Sequence, residues 1–473
     1  MPPYRSPGVY VEEVPSAIKA IAGVSTSTAG FIGVVPNTIV IPVEAVTDET
    51  IGDGNGQDTT FNLKRHPVLT TAGSFQIKVN GAPVTATLDA NAGNTATIAT
   101  LTTPPPPASG ARITADYMVI NNFTLPVAAG EVKLCTNFSE YKKFFGDFST
   151  NDTHRNLTHA VFGFFNNGGS RCYVARVTAP AGVQGVLTKF EAIDEIAIVA
   201  APGMTQNNVR SAIDTHCREK TQDRFALFDS PEVVETNDTF DPTLLEPDNA
   251  ANVLPDNSDF AAFYFPWLQV FDPATKIQNP ASDGLEFVPP SGHVAGIYAR
   301  VDTQRGVHKA PANEPVLGAL GLKYAISRSQ QDGLNPQGVN CIRDLNGNIR
   351  IWGARTLGGD ANADLKYINV RRTLLFLRES IDEGMQFVVF EPNTPQLWQK
   401  IVRNVSAFLT NVWRSGALFG TTPQEAFFVK CDAELNPPEV RELGQVITEI
   451  GVAIVRPAEF VIFRLSQFTA PGS

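Results

Sequence analysis

The feature that most constrains this chain is its closing run, PAEFVIFRLSQF, over residues 457–468. Successive side chains of a strand alternate between faces. Here Phe460 and Ile462 point one way, while Val461, Phe463 and Leu465 point the other. A strand apolar on both faces has to be covered on both. At a chain terminus it therefore needs sheet neighbours, its own or another chain's. The opposite end has a related character. Pro2, Pro3 and Pro7 lead into a strand-like run over residues 9–14, headed by Val9, Tyr10 and Val11, that stops at Pro15. Prolines at both ends favour an extended arm over a helix; such an arm suits pairing with a sheet edge elsewhere, with a frayed terminus as the competing and more ordinary reading.

The second constraint is NTPQLWQKIVRNVSAFLTNVWRS, residues 393–415, which reads as one amphipathic helix. Thr394 can cap it, and Pro395 suits the first helical position, where a missing N–H costs nothing. Leu397, Trp398, Ile401, Val402, Val405, Phe408, Leu409, Val412 and Trp413 recur at helical spacing as a broad apolar face. Lys400, Arg403 and Arg414 lie opposite, and no Asp or Glu occurs from Pro392 to Gln424. Because the whole chain carries a net charge of -11, an acid-free basic stripe runs against its average; an ordinary solvated face is the competing reading.

The balance of acids over bases argues against nucleic acid as the main partner, since phosphate binding needs a basic surface. With 43% hydrophobic and 18% charged residues in 473, the chain can build real cores, and its length suggests about three domains. Five cysteines (Cys135, Cys172, Cys217, Cys341 and Cys431) are scattered without CxxC spacing, which fits buried thiols in a reducing compartment. The N-terminus lacks the apolar core of a secretory signal, and no apolar run reaches a membrane span. The expectation is production in the cytoplasm, with no direct membrane insertion.

Along the chain, FIGVV at residues 31–35 reads as a strand. Residues 47–117 turn rich in Thr, Ala, Gly and Asn, with a hairpin signal at Asn80-Gly81, and read as a small all-β insertion. From Val119 the pattern becomes α/β, with strands predicted at residues 172–177, 195–200 and 224–228 and helices between them. Residues 231–259 hold eight acids and no Lys or Arg, which reads as a solvated, mobile loop. Residues 263–355, dense in Pro and Gly, show few long periodic helices and read as mostly loops and short elements. The remainder alternates: helix 364–380, strand 386–390, the long helix, strand 426–431, helix 438–443, strand 446–455 and the closing strand.

Motifs for chemistry are weak throughout. There is no P-loop, HExxH or GxGxxG. The run Gly168-Gly169-Ser170-Arg171-Cys172 ends in Cys where a nucleophile elbow needs Gly. Asp53-Gly54-Asn55-Gly56-Gln57 and Asp344-Leu345-Asn346-Gly347-Asn348 both break the calcium-loop pattern at the sixth position. His154 and His159 are off the register of a helical metal pair. Arg371-Arg372, close to Asp382-Glu383, reads as a local salt-bridge surface. No catalytic, cofactor or metal site assembles, and no cofactor is expected.

The blocks SPGVYVEEVPS, TNFSEYKKFFG, FFNNGGSRCYVARV, FYFPWLQV, PPSGHVAGIYARVD, NPQGVNCIRD, IWGARTL, YINVRRTLLFL and IGVAIVRPAEFVIFRL, in that order, resemble those of contractile phage-tail sheath proteins, a family shared with R-type bacteriocins and phage-like injection systems. The resemblance excludes only the insertion and the acidic loop. It implies a non-enzymatic structural subunit with a mixed α/β, multi-domain sheath fold: an inner domain built from both chain ends, a middle α/β domain and a small all-β insertion. The expected boundaries are an arm at 1–27, a middle domain at 28–46 and 118–348, an outer insertion at 47–117, and an inner domain with its arm at 349–473. The family's subunits stack as hexameric rings in a helix around an inner tube, joined by terminal strands lent to neighbours, in a metastable extended state that contracts. The implied partners are copies of the chain, the inner tube protein, and baseplate and terminator proteins. Strand exchange maps onto Val9, Tyr10, Val11, Phe460, Val461, Ile462 and Phe463, and inner-tube contact onto Lys400, Arg403 and Arg414. The alternatives are an α/β enzyme with an unseen site, or another self-assembling phage structural protein such as a capsid protein or adhesin.

Overall fold

The apolar runs between Ala29 and Ile351 come together as one nine-stranded sheet in the computed structural model, which describes residues 21–70, 74–89, 97–102 and 105–462. Across the sheet the strands are Glu314–Pro315, Asn348–Ile351, Val339–Leu345, Ala261–Phe265, Phe225–Asp229, Ile198–Ala200, Ala29–Val34, Cys172–Val177 and Val132–Cys135. The six from Val339–Leu345 to Cys172–Val177 run parallel. Parallel strands are buried on both faces, and Phe225–Asp229 and Ala261–Phe265 are buried at every position. The strands at the two ends are antiparallel.

By its internal contacts the chain divides into two compact units, one of residues 1–24 and 376–455, the other of residues 25–375 and 456–473. The division falls inside the helix Ile368–Met385, and residues 349–375 and 456–462 go with the nine-stranded sheet. The larger unit also carries the insertion. Its root is the long antiparallel pair Thr38–Asp53 and Arg112–Thr124, which starts outside the expected 47–117. Phe75–Val79 and Ala82–Val84 extend this sheet, and Thr60–Asn62, Ile98–Leu101 and Ala86–Asp89 form a second. Phe61, Leu63, Ile77, Ile113 and Tyr117 fill a core between them. Asn80 at φ 49° and Gly81 at φ 83° make the expected turn.

Several readings are corrected. Residues 231–259 are not simply solvated: Val234 and Leu245 are fully buried, and the Val234 N–H donates to the Tyr324 hydroxyl at 3.0 Å. Ser291–Arg305 is a 15-residue helix in the stretch that read as mostly loops and short elements, with ten of its residues buried. Arg371 and Arg372 do not form a local surface with Asp382 and Glu383. Arg371 pairs with Asp259; Arg372, 3% exposed, grips Asp302 at 2.7 and 2.9 Å and donates to the Thr26 carbonyl. Residues 386–390 are not a strand: Gln386–Val388 is a 3-10 turn after a helix that runs past its expected end.

One turn admits glycine alone. Gly338, at φ 80°, precedes the strand Val339–Leu345, and a Cβ there would collide with the Thr356 carbonyl and stand 2.7 Å from the Gly359 nitrogen. These obstacles are backbone and cannot rotate away. Gly338→Ala is expected to cost about 3 kcal/mol or more, read as a fall in melting temperature and in soluble yield.

Candidate functional site

In the smaller unit, the helix Pro395–Arg414 is capped by Thr394, whose side chain accepts the Leu397 N–H. Leu397, Trp398, Ile401, Val405, Phe408, Leu409 and Val412 are buried and pack with Ile21, Phe376 and Ile450. The indole N–H groups are satisfied, Trp398 by Asn393 Oδ1 at 2.8 Å and Trp413 by the Gly420 carbonyl at 2.9 Å. The exposed residues Gln396, Gln399, Arg403, Ala407, Asn411 and Arg414 form a single stripe, with Arg403 and Arg414 three turns apart, about 17 Å along the axis. Lys400 is half-buried at the edge, its ammonium 5.3 Å from the Phe387 ring centroid. Among the described residues neither Arg403 nor Arg414 makes an ion pair. The three cations thus share one face of one helix.

The same unit holds a two-stranded antiparallel sheet, Phe427–Lys430 with Glu449–Val452. Its inner face, with Phe427, Val429, Ile450 and Val452, packs on the core around Leu409. Its outer face shows Phe428, 53% exposed and lying across Gly451; Phe419, whose N–H donates to the Ala453 carbonyl just past the ribbon, is 75% exposed. A two-stranded ribbon is marginal alone, and open strand edges template further strands.

Residues Phe460, Val461 and Ile462 are 70%, 68% and 79% exposed and pair with no strand among the described residues. Val9, Tyr10, Val11 and Phe463 lie outside the described residues. Sequence reading missed what precedes the exposed run. Glu459 accepts Arg355 Nε at 2.8 Å and Nη2 at 2.9 Å, Asn335 Nδ2 at 2.7 Å and the Tyr367 hydroxyl at 3.0 Å. No spacing signals a pair 104 residues apart; the only hint was an acid inside an otherwise apolar run.

The position most like a catalytic acid is Asp229, at the carboxyl end of its strand, where open α/β sheets often bind ligands. Burial pushes its carboxyl up to about 6, a rise that bonds from Ser291 and Gly203 only partly offset. All its bonds are internal, from the Ser291 N–H (2.8 Å) and hydroxyl (2.7 Å) and the Gly203 N–H (3.1 Å). It seats the start of the Ser291–Arg305 helix, a structural task. No group of three or more metal-ligating side chains occurs among the described residues, and no described helix is long and apolar enough to cross a membrane.

Comparison with known proteins gives one consistent result. Residues 179–357 match the phage tail sheath protein central domain and residues 360–468 the phage tail sheath C-terminal domain, together more than half of the chain. The tail sheath protein of Burkholderia phage BcepMu is 28% identical over 211 residues, 43% of this chain and 42% of that one. That of Vibrio phage KVP40 is 27% identical over 236 residues, 49% of this chain and 33% of that one. The chain thus spans less than half the length of these two relatives. In fold, the sheath of the extracellular contractile injection system PVC, solved in its contracted state, aligns over 99% of both chains at a TM-score of 0.65 and 23% identity. The contracted helical sheath of the anti-feeding prophage aligns over 98% of this chain and 99% of its own at 0.62 and 22%.

Proposed function

The chain belongs to the phage tail sheath family, and on that premise we propose that it is the repeating subunit of a contractile sheath, stacked as hexameric rings around an inner tube and tied to its neighbours by its two ends. The observation that carries this reading is the exposed run Phe460, Val461 and Ile462, three consecutive large apolar side chains left in water by their own chain. Such a run gains most by adding to another copy's sheet, and the open ribbon Phe427–Lys430/Glu449–Val452 is the acceptor. Val9, Tyr10 and Val11 form the second donated strand and Phe463 continues the first. Contraction then moves subunits as rigid bodies while the strand mesh stays joined. A gain of a few kcal/mol per subunit, roughly a handful of new contacts, is multiplied over the whole tail. The inserted β domain decorates the outside. Baseplate and terminator proteins bound the sheath, which reaches its target as part of a phage tail or injection particle.

The stripe of Lys400, Arg403 and Arg414 faces the tube and meets acidic side chains there. Reversing all three to Glu is expected to lower co-assembly with the tube protein at least tenfold. The fold should survive, because Arg403 and Arg414 are exposed and only half-buried Lys400 gives up a ring contact, with Phe387. Normal sheath on tube, seen by negative-stain microscopy, would remove the stripe from the interface.

A further inference from the structure

The C-terminal arm begins at an anchored point. Arg456 pairs with Asp364 at 2.8 Å, and three residues later Glu459 enters a socket made by Arg355, Asn335 and Tyr367. A carboxylate has about four acceptor positions, and here four donors fill them, two from a bidentate guanidinium. This is the strongest geometry available to an Arg–carboxylate pair. Half-burial alone would raise the Glu459 carboxyl, but the bonds from Arg355, Asn335 and Tyr367 hold it below the ordinary range.

The socket is itself braced. Arg355 is 4% exposed. Its backbone N–H donates to Asn340 Oδ1 at 2.8 Å, and its carbonyl accepts Asn340 Nδ2 at 2.8 Å. Asn340 lies in the strand Val339–Leu345 and is fully buried; its Nδ2 also reaches the Phe263 carbonyl of the next strand at 3.2 Å. Arg355 Nη1 donates to the Asn335 carbonyl and to Asp360. A continuous set of hydrogen bonds, buried at Asn340 and part-buried at Glu459, therefore joins two central strands of the nine-stranded sheet to residue 459. Immediately beyond it, Phe460 is 70% exposed.

The geometry points to Glu459 as the pin that fixes where the C-terminal arm leaves the subunit and passes tension on the arm into the nine-stranded sheet through Arg355. This rests on the reading that the arm is donated to a neighbouring copy. A pinned root shortens the free segment that must find its acceptor, which raises the effective concentration of the strand. It also leaves less entropy to lose on binding. When subunits move during contraction, the pull ends in a sheet that is buried on both faces.

The test uses the full chain with Glu459→Gln, which keeps the side chain's size and removes the charge, and Tyr367→Phe, which removes one donor. Hydrogen exchange at the Glu459 amide of the soluble subunit, whose N–H donates to the Pro457 carbonyl at 3.1 Å, should speed up about tenfold or more in Glu459→Gln and less in Tyr367→Phe. Arg355 keeps the Asn335 carbonyl and Asp360 as acceptors, so the subunit should stay folded with a lowered melting temperature, and sheath yield should fall in the same order. Unchanged exchange overturns the pin, and faster exchange with normal assembly overturns its role in positioning the arm. A third variant, ending at Glu459, separates the two ideas. If it still polymerises, the donated-arm reading fails; if it does not while Glu459→Gln assembles normally, only the pin fails.

Discussion

Removal of residues 1–15 is expected to abolish polymerisation and leave a folded subunit. Among the described residues, the sheet core around Phe31, Phe225 and Phe263 is built from residues 29–375, and the smaller core includes Ile21, which packs with Leu397 and Trp398. The Val24 N–H donating to Ser380 Oγ at 3.1 Å fixes the chain just after the deletion. What disappears is the segment with Val9, Tyr10 and Val11, proposed as the second strand on a neighbour's ribbon. A donated strand of about six residues contributes several backbone hydrogen bonds at about 1 kcal/mol each, plus its apolar side chains at roughly 25 cal/mol per Å² buried. Without it each contact along a stack loses several kcal/mol, and loss at every junction leaves no tube. Sedimentation and negative-stain images should show monomers, with the wild-type circular dichroism spectrum. A truncated protein that forms striated tubes would show that the N-terminal end is not a structural tie.

The sequence disclosed elements where chemistry and period agree. Pro395–Arg414 was legible because one face is apolar and the other polar, and the structure starts it within a residue of the cap signal at Thr394. The hairpin at Asn80-Gly81 was legible because both residues of its turn need positive φ. The helix Ser291–Arg305 was not, because it is covered nearly all round and has no polar face to set a period. The strand expected at 386–390 failed for a related reason: a short apolar run carries no period of its own, and there it becomes a 3-10 turn that leaves Phe390 wholly exposed. Among the site residues, the helix stripe was readable from spacing. The Glu459 socket was not, since its donors come from Asn335, Arg355 and Tyr367 and meet only in the folded chain.

The subunit is expected to lose stability steeply as pH falls from 6.5 to 4, and buried histidines are the cause. Burial depresses His154 to about 4 and His293 to about 3, from an ordinary 6.5. His154 is satisfied as a neutral ring: Nε2 donates to the Phe145 carbonyl at 2.8 Å and Nδ1 accepts the Ser149 hydroxyl at 2.7 Å. His293 is fixed against Gly163, and its Nδ1 has no partner to receive a second proton's charge. His216 is also depressed, to about 4, by burial and by the Arg224 guanidinium at 3.3 Å. A histidine whose folded pKa lies below its unfolded value keeps the fold's full stability above pH 6.5. As the unfolded chain takes up protons, each costs up to about 1.4 kcal/mol per pH unit until the folded pKa is reached. Asp229 works the other way, since its folded pKa of about 6 exceeds the unfolded 3.8, so it adds stability over part of the same window. Taking His154 and His293 against Asp229, the net loss by pH 4 is on the order of 4 kcal/mol. Urea unfolding at low protein concentration, from pH 7 to 4, should show the midpoint level above about pH 6.5 and falling below it. In His293→Met, with no proton to take up at that site, the fall should be shallower. A midpoint that holds level from pH 6.5 to 4.5 would mean that these rings already carry their protons in the folded subunit.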